Sequence, residues 1–115
     1  MNLALTTALL AFVLTDSPDP KLYPDAPFAK IAGKNLWARP RACIEGTVTY
    51  VKREDDGDWH CTLEDGGRKV VCEIIPELPM DPPKVGQRIK VWGIPRWDGQ
   101  HRWGEIHPVI GWSPK

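Results

Sequence analysis

The chain has 115 residues, 42% of them apolar, which is enough for one domain whose small core requires neither a metal nor disulfides. Twelve prolines and ten glycines favour short strands and turns and argue against a helical bundle. Fifteen basic and fifteen acidic residues give no net charge, which disfavours nucleic-acid binding through overall charge but leaves room for a local basic patch.

Residues 1–40 are predicted to form an N-terminal extension ahead of a β domain at 41–115. Residues 3–14 are an uncharged apolar run, too short to cross a bilayer and about as long as the core of a signal peptide. No Lys or Arg precedes the run and no clear cleavage site follows it. A secretory leader and an ordered segment packed on the domain therefore both stay open. The prolines of 16–27 predict an extended linker.

A short helix is predicted next, with an apolar stripe that plugs the core of the domain. Its apolar residues follow the helical spacing i, i+3, i+4, i+8: Phe28, Ile31, Ala32 and Leu36. Asp25 is placed to cap the helix.

From residue 42 the apolar period changes to two, which predicts a strand. Its inward face contains Ile44, Gly46, Val48 and Tyr50. Gly46 predicts a bulge or the tight coiling of a barrel strand. A turn at 54–57 would place Val48 opposite Leu63 and Tyr50 opposite Cys61.

The stretch 56–76 is predicted to form a hairpin whose register follows from a two-residue turn at Gly66-Gly67. The inner face pairs Leu63 with Val70, Cys61 with Cys72 and Trp59 with Ile74. The outer face pairs Glu64 with Lys69, Thr62 with Val71 and His60 with Glu73. Two small buried thiols at Cys61 and Cys72 are favoured over a strained cross-strand disulfide, which an oxidising compartment would allow.

The four prolines of 76–86 predict a loop without a helix. Alternation resumes at 88–94, and Asp98-Gly99 predicts a second hairpin turn. That turn pairs Val91 with Ile106, Gly93 with Gly104, Trp92 with Glu105 and Ile94 with Trp103. Trp92 is thereby predicted to face outward.

The sequence resembles OB-fold domains of the nucleic-acid-binding type over 41–112. The similarity lies in Glu-Gly-Thr-Val at 45–48, Leu-Glu-Asp-Gly at 63–66 and Val-Gly-Gln-Arg-Ile-Lys-Val-Trp-Gly at 85–93. The resemblance implies an all-β, five-stranded OB-fold barrel. The prolines of 76–86 predict that this barrel lacks the usual helix between strands 3 and 4.

Three motifs resemble a narrower group of small bacterial hypothetical proteins, many of them exported. They are Asp-Gly-Asp-Trp-His at 56–60, Val-Cys-Glu-Ile-Ile-Pro at 71–76 and Trp-Gly-Glu-Ile-His-Pro-Val at 103–109. The resemblance implies a bacterial source and no particular activity. Both the cytoplasm and export remain open as locations.

Ligands of OB folds usually lie across the outer face of strands 2 and 3, between the first and last hairpin loops. The loop at 95–102 suits a single nucleic-acid strand, because Trp97 can stack on a base while Arg96 and Arg102 meet phosphates. The candidate ligand-binding residues are Arg53, Trp92, Arg96, Trp97, His101, Arg102 and Trp103. The acidic loop at 52–58 would repel a polyanion and fits a cation, a sugar or a basic peptide better.

Glu105 and His107, with His60 or His101, are the candidate metal ligands. The favoured interpretation is that they are surface polar groups, since nothing in the sequence shows a third ligand converging. His60 and Glu73 are likewise interpreted as a surface pair. The sequence has no nucleophile elbow, phosphate loop or dinucleotide motif, so neither catalysis nor a cofactor is predicted.

Two classes of function remain. The first is a non-enzymatic OB-fold module for single-stranded nucleic acid or another oligomer with stackable faces. The alternative is an exported envelope domain that binds a small ligand, a cation or a protein partner. No membrane span is predicted, and the sequence does not indicate the oligomeric state.

Overall fold

The computed structural model describes residues 19–115, so the predictions for the apolar run at 3–14 lie outside the described residues. The elements are α1 (Phe28–Ala32), β1 (Ala42–Arg53), β2 (Trp59–Asp65), β3 (Arg68–Ile74), β4 (Arg88–Asp98) and β5 (Trp103–Pro114). Within the described part of the chain, no helix has the length and apolar character needed to cross a membrane.

The five strands close into a barrel in the order β1-β2-β3-β5-β4. β1 pairs antiparallel with both β2 and β4, and a parallel pairing between β3 and β5 completes the closure. This is the OB-fold architecture that the sequence predicts. As the prolines indicate, the connection at 76–86 contains no helix.

The register of the β2–β3 hairpin is the predicted one, with Leu63 opposite Val70 and Cys61 opposite Cys72. The inner residues of both strands are buried except Trp59, which is half-buried. The prediction of an exposed outer face is wrong at Val71 and Glu73, which are only 3% and 5% exposed. β3 lies between β2 and β5, so side chains from both neighbours cover its outer surface.

A β-bulge changes the second half of β1. Val48 lies opposite Leu63 as predicted, but the register then shifts, and Tyr50 lies opposite Thr62. Tyr50 is therefore 51% exposed instead of buried, and Val51 takes the position opposite Cys61.

Helix α1 closes one end of the barrel with Phe28 and Ile31, both buried, but it ends at Ala32, so the predicted stripe is wrong at Leu36, which is 57% exposed. Gly46 has no bulge of its own. A Cβ atom there would lie 3.0 Å from the Phe28 ring, so glycine at this position makes room for the helix. The predicted cap is wrong: Pro27 precedes the helix without a side-chain cap, and Asp25 instead forms a β-bridge with Cys43.

The last hairpin has a longer turn than predicted. Asp98 pairs with Trp103, and residues 99–102 form the turn. The Asp98 carboxylate accepts the backbone N–H groups of Gln100 and His101 at 3.0 and 3.1 Å, which stabilises this wider turn over the two-residue one. Arg102 ends the turn at a φ of 61°.

The predicted pairing of β4 and β5 is therefore wrong. Val91 lies opposite Trp112, while Glu105 lies opposite Arg96. Trp92 lies outside the core cluster, on the face of β4 opposite Val91 as predicted, but it is 3% exposed and packs against Gly111, so it is not a surface side chain. The other tryptophans are half-buried at the surface: Trp37, Trp59, Trp97, Trp103 and Trp112.

The three cysteines are free and buried, and Cys61 lies opposite Cys72. Burial raises the pKa of the Cys43 thiol to about 11 and that of Cys61 to about 12.

We therefore expect native protein at about pH 8 to react slowly with a thiol reagent, because the thiolate is the reactive form. In denaturant without reductant all three thiols should react. Reaction of only one would instead indicate a disulfide.

Candidate functional site

The outer face of β2, β3 and β5 carries a group of carboxyl and imidazole side chains. We call it the carboxylate–histidine cluster; its members are Asp58, His60, Glu73, Glu105 and His107. The strand pairing explains their proximity, since His60 is directly opposite Glu73 and β5 runs beside β3. Glu105 and His107 are two residues apart and so share one face of β5.

Glu73 is at the centre of the cluster. Its Oε1 atom is 3.1 Å from His60 Nε2 and 3.3 Å from His107 Nδ1. His107 Nδ1 is also 3.5 Å from Glu105 Oε1. The two imidazoles are half-buried, whereas the Glu73 side chain is 7% exposed.

Glu105 is held in place from two sides. The Trp103 indole donates a hydrogen bond of 2.8 Å to its Oε2 atom, and Arg96 Nε lies 3.7 Å from its Oε1 atom. The residue is 2% exposed, so its interpretation as a surface group is wrong. Trp103 and Arg96 thereby fix the carboxylate that faces His107.

The electrostatics of the cluster follow from burial. Burial raises the pKa of Glu73 to about 8, and hydrogen bonding with Glu105 and repulsion by its charge add to the rise. Burial, with the nearby charge of Asp56, also raises the pKa of Asp58. Glu73 is therefore largely protonated near neutral pH while no cation is bound.

Three cluster members have the spacing of metal ligands: one ligand atom each from Asp58, Glu73 and His107 lies within 4.8 Å of the others. The sequence-based candidates were Glu105 and His107, so Asp58 and Glu73 were missed. The signal for them was their place in the motifs at 56–60 and 71–76.

His101, also considered as a metal ligand, lies outside the cluster. Its Nδ1 atom is 2.7 Å from Asp98 Oδ2, and this hydrogen bond lowers the pKa of Asp98 to about 2.

A second feature surrounds α1 at the end of the barrel that holds the β2–β3 turn. A cavity of about 350 Å³ there is lined by Ala29, Ala32, Gly33, Leu36, Arg68, Lys69, Arg102 and Trp103. A cavity of about 120 Å³ is lined by Lys30, Ile31, Gly33, Asn35, Trp37, Pro95, Arg96 and Trp97. The two cavities share Gly33, and we call them together the basic–aromatic groove.

Trp103 is the tryptophan of the groove that has ring contacts with neighbouring polar side chains. His101 stacks on it with ring centres 4.5 Å apart and planes at 7°, and Lys69 Nζ lies 5.0 Å from its ring centre. Within residues 19–115, no Asp or Glu lines either cavity. The groove therefore concentrates positive charge and indole rings in a chain that has no net charge.

Most of the predicted ligand-binding residues come together in or beside this groove: Arg96, Trp97, His101, Arg102 and Trp103. Arg53 does not, because it pairs with Trp59 at the other end of β2, where its guanidinium lies 5.9 Å from the indole centre. Trp92 is buried against Gly111, outside the core cluster and away from the groove.

Four groove residues were not predicted from the sequence: Lys30, Trp37, Arg68 and Lys69. The first two come from the N-terminal segment and the last two follow the β2–β3 turn. No local pattern connects these segments, since only the docking of α1 on the barrel places them together.

No protein-family model matches the sequence, and no curated protein is similar to it. Among solved structures, the chain is similar to an aspartyl tRNA synthetase from Entamoeba histolytica, with a TM-score of 0.60 and 10% sequence identity. The similarity covers 88% of this chain and 24% of the synthetase. The chain thus spans about a quarter of that enzyme, and the likeness is one of fold.

Proposed function

We propose that this protein is a non-enzymatic OB-fold module that binds single-stranded nucleic acid in the basic–aromatic groove. The observation that carries the proposal is the composition of the groove: five basic residues and three tryptophans line the two cavities. Indole rings stack on bases of any sequence, each worth about 1–3 kcal/mol, while Lys and Arg neutralise phosphates.

The distribution of charge determines where the strand lies. The usual ligand face of an OB fold, the outer side of β2 and β3, here carries Glu73 and the rest of the carboxylate–histidine cluster. Phosphates are repelled by carboxylates. We therefore place the strand nearer to α1 and the turn at 99–102 than is usual for this fold. One of the solved structures with a similar fold is an enzyme named for tRNA, which agrees with a nucleic-acid ligand.

The test is a titration of the protein with single-stranded oligonucleotide at low salt, followed by tryptophan fluorescence. We expect quenching at micromolar concentrations, because Trp97 lines the groove and would stack on a base. Affinity should fall as salt rises. Absence of quenching would contradict the proposal and favour the small-ligand or protein-partner alternative.

Arg102→Ala locates the interface. Because Arg102 lines the larger cavity and is exposed, its loss should weaken binding to all sequences alike. It should also reduce the slope of log affinity against log salt by about 0.7, the value for one phosphate contact on a single strand. Lys84→Ala is the matched control, since Lys84 is exposed and lines neither cavity. Equal effects of the two substitutions would place the interface elsewhere.

A further inference from the structure

The carboxylate–histidine cluster holds a second site: we propose that Asp58, Glu73 and His107 bind a divalent transition-metal cation of the zinc class. The three residues come from the β1–β2 loop, β3 and β5, and the barrel brings them together on one face. None of them lines the basic–aromatic groove. The proposed metal site therefore does not depend on nucleic-acid binding, and each proposal can be tested without the other.

The distances suit a small cation. Around a tetrahedral ion with nitrogen and oxygen ligands at about 2.0–2.2 Å, neighbouring ligand atoms lie about 3.4 Å apart. His107 Nδ1 and Glu73 Oε1 are already 3.3 Å apart, on strands that the barrel holds side by side. Asp58 lies in the loop ahead of β2, so rotation of its side chain can bring a carboxylate oxygen to the ion that Glu73 and His107 hold.

The donor atoms determine the class of metal. Imidazole nitrogen together with carboxylate oxygen suits zinc and its first-row neighbours, whereas calcium and magnesium take oxygen ligands. His60 Nε2 is 3.1 Å from Glu73 Oε1 but is outside the group of mutually close ligand atoms, so it is a neighbour of the site and not a ligand. Glu105 Oε1 lies 3.5 Å from His107 Nδ1, so its carboxylate adds negative charge beside the site.

The negative charge of the cluster also favours the binding of a cation. Three carboxyl groups, from Asp58, Glu73 and Glu105, face one another around two imidazoles. Arg96 supplies a permanent positive charge beside them: it lies 3.7 Å from Glu105 and acts on Glu73 from farther away. An ionised Glu73 at this buried position needs an opposite charge close by. A divalent ion between Glu73, Asp58 and His107 supplies it.

The experiment uses full-length protein without a histidine tag, treated with EDTA and then freed of it. Titration with cobalt(II) is followed by visible absorption, which reports ligand geometry, and titration with zinc by calorimetry. We expect one equivalent of either ion to bind. Asp58→Asn and His107→Gln should each weaken binding by ~10-fold or more, at least the loss seen for an outer-shell partner. Zinc should raise the melting temperature of the wild type more than that of either variant.

His101→Gln is the matched control, because this imidazole is exposed and its partner, Asp98, is outside the cluster. It should bind zinc as the wild type does. The proposal is overturned if the wild type binds no zinc at ~1 mM, or if His101→Gln weakens binding as much as His107→Gln. Undiminished binding by Asp58→Asn would also overturn it. Asp58 is in a loop, so this variant keeps its fold, which far-ultraviolet circular dichroism checks.

Discussion

Gly104→Ala should lower the free energy of unfolding by about 3–5 kcal/mol, the largest effect that we expect from a single methyl group in this chain. A Cβ atom at Gly104 would overlap the carbonyl oxygen of Ile31 and lie 2.8 Å from its carbonyl carbon. Backbone cannot yield as a flexible side chain can, so α1 must move off the barrel. Phe28 and Ile31 then lose their burial, which is worth about 1.5–3 kcal/mol for each side chain.

Urea denaturation measures this loss, and Gly99→Ala in the same hairpin is the control. A Cβ atom at Gly99 has nothing within 4 Å and its backbone is not in the left-handed region, so its stability should change by less than about 0.5 kcal/mol. Because α1 lines both cavities of the groove, Gly104→Ala should also weaken oligonucleotide binding. If both variants were as stable as the wild type, α1 would not be docked as described.

The metal-free protein should become less stable as the pH rises from about 5 to about 9. The pKa of Glu73 is raised from its ordinary value of 4.5 to about 8 in the folded state. Between these values the folded protein holds a proton that the unfolded chain has lost, so folding takes up a proton. The stabilisation is complete below the ordinary pKa and is lost as the pH rises through the folded one.

Glu73→Gln should remove most of this slope, since the amide has the shape of the protonated carboxyl and stays neutral. We expect the variant to melt on the order of 10 °C above the wild type at about pH 9 and close to it at about pH 5. Thermal unfolding in EDTA at these pH values measures both the pH slope of stability and the difference in melting temperature. Glu64→Gln, at an exposed position of β2, should keep the wild-type slope. A wild type whose stability rises with pH would contradict the assignment.

Much of the barrel wall was predictable because its signals are local. The Gly66-Gly67 turn adopts positive φ angles of 58° and 80° and joins two strands of period two, which leaves one register that buries Leu63 and Val70. Proline at 76–86 likewise forbids a helix whatever surrounds it.

Local signals failed where two of them competed. At the last hairpin the Asp98-Gly99 pair favours a two-residue turn, but the Asp98 carboxylate binds two backbone N–H groups of a longer one. The longer turn placed Trp97 in β4, opposite Gly104. In β1 a bulge moved Tyr50 outward in the same way, by adding one residue that no period reveals.

The sequence by itself therefore determined the strands, the β2–β3 register and the plugging helix, because each depends on residues that are neighbours along the chain. Only the tertiary structure decided the two candidate sites. Closure of β3 against β5 buries Glu73 and brings His107 to it, and the docking of α1 brings Trp37 to Trp97. Burial determines the pKa of a carboxyl group, and long-range strand pairing determines which side chains contact an arginine. Neither is encoded in local sequence spacing.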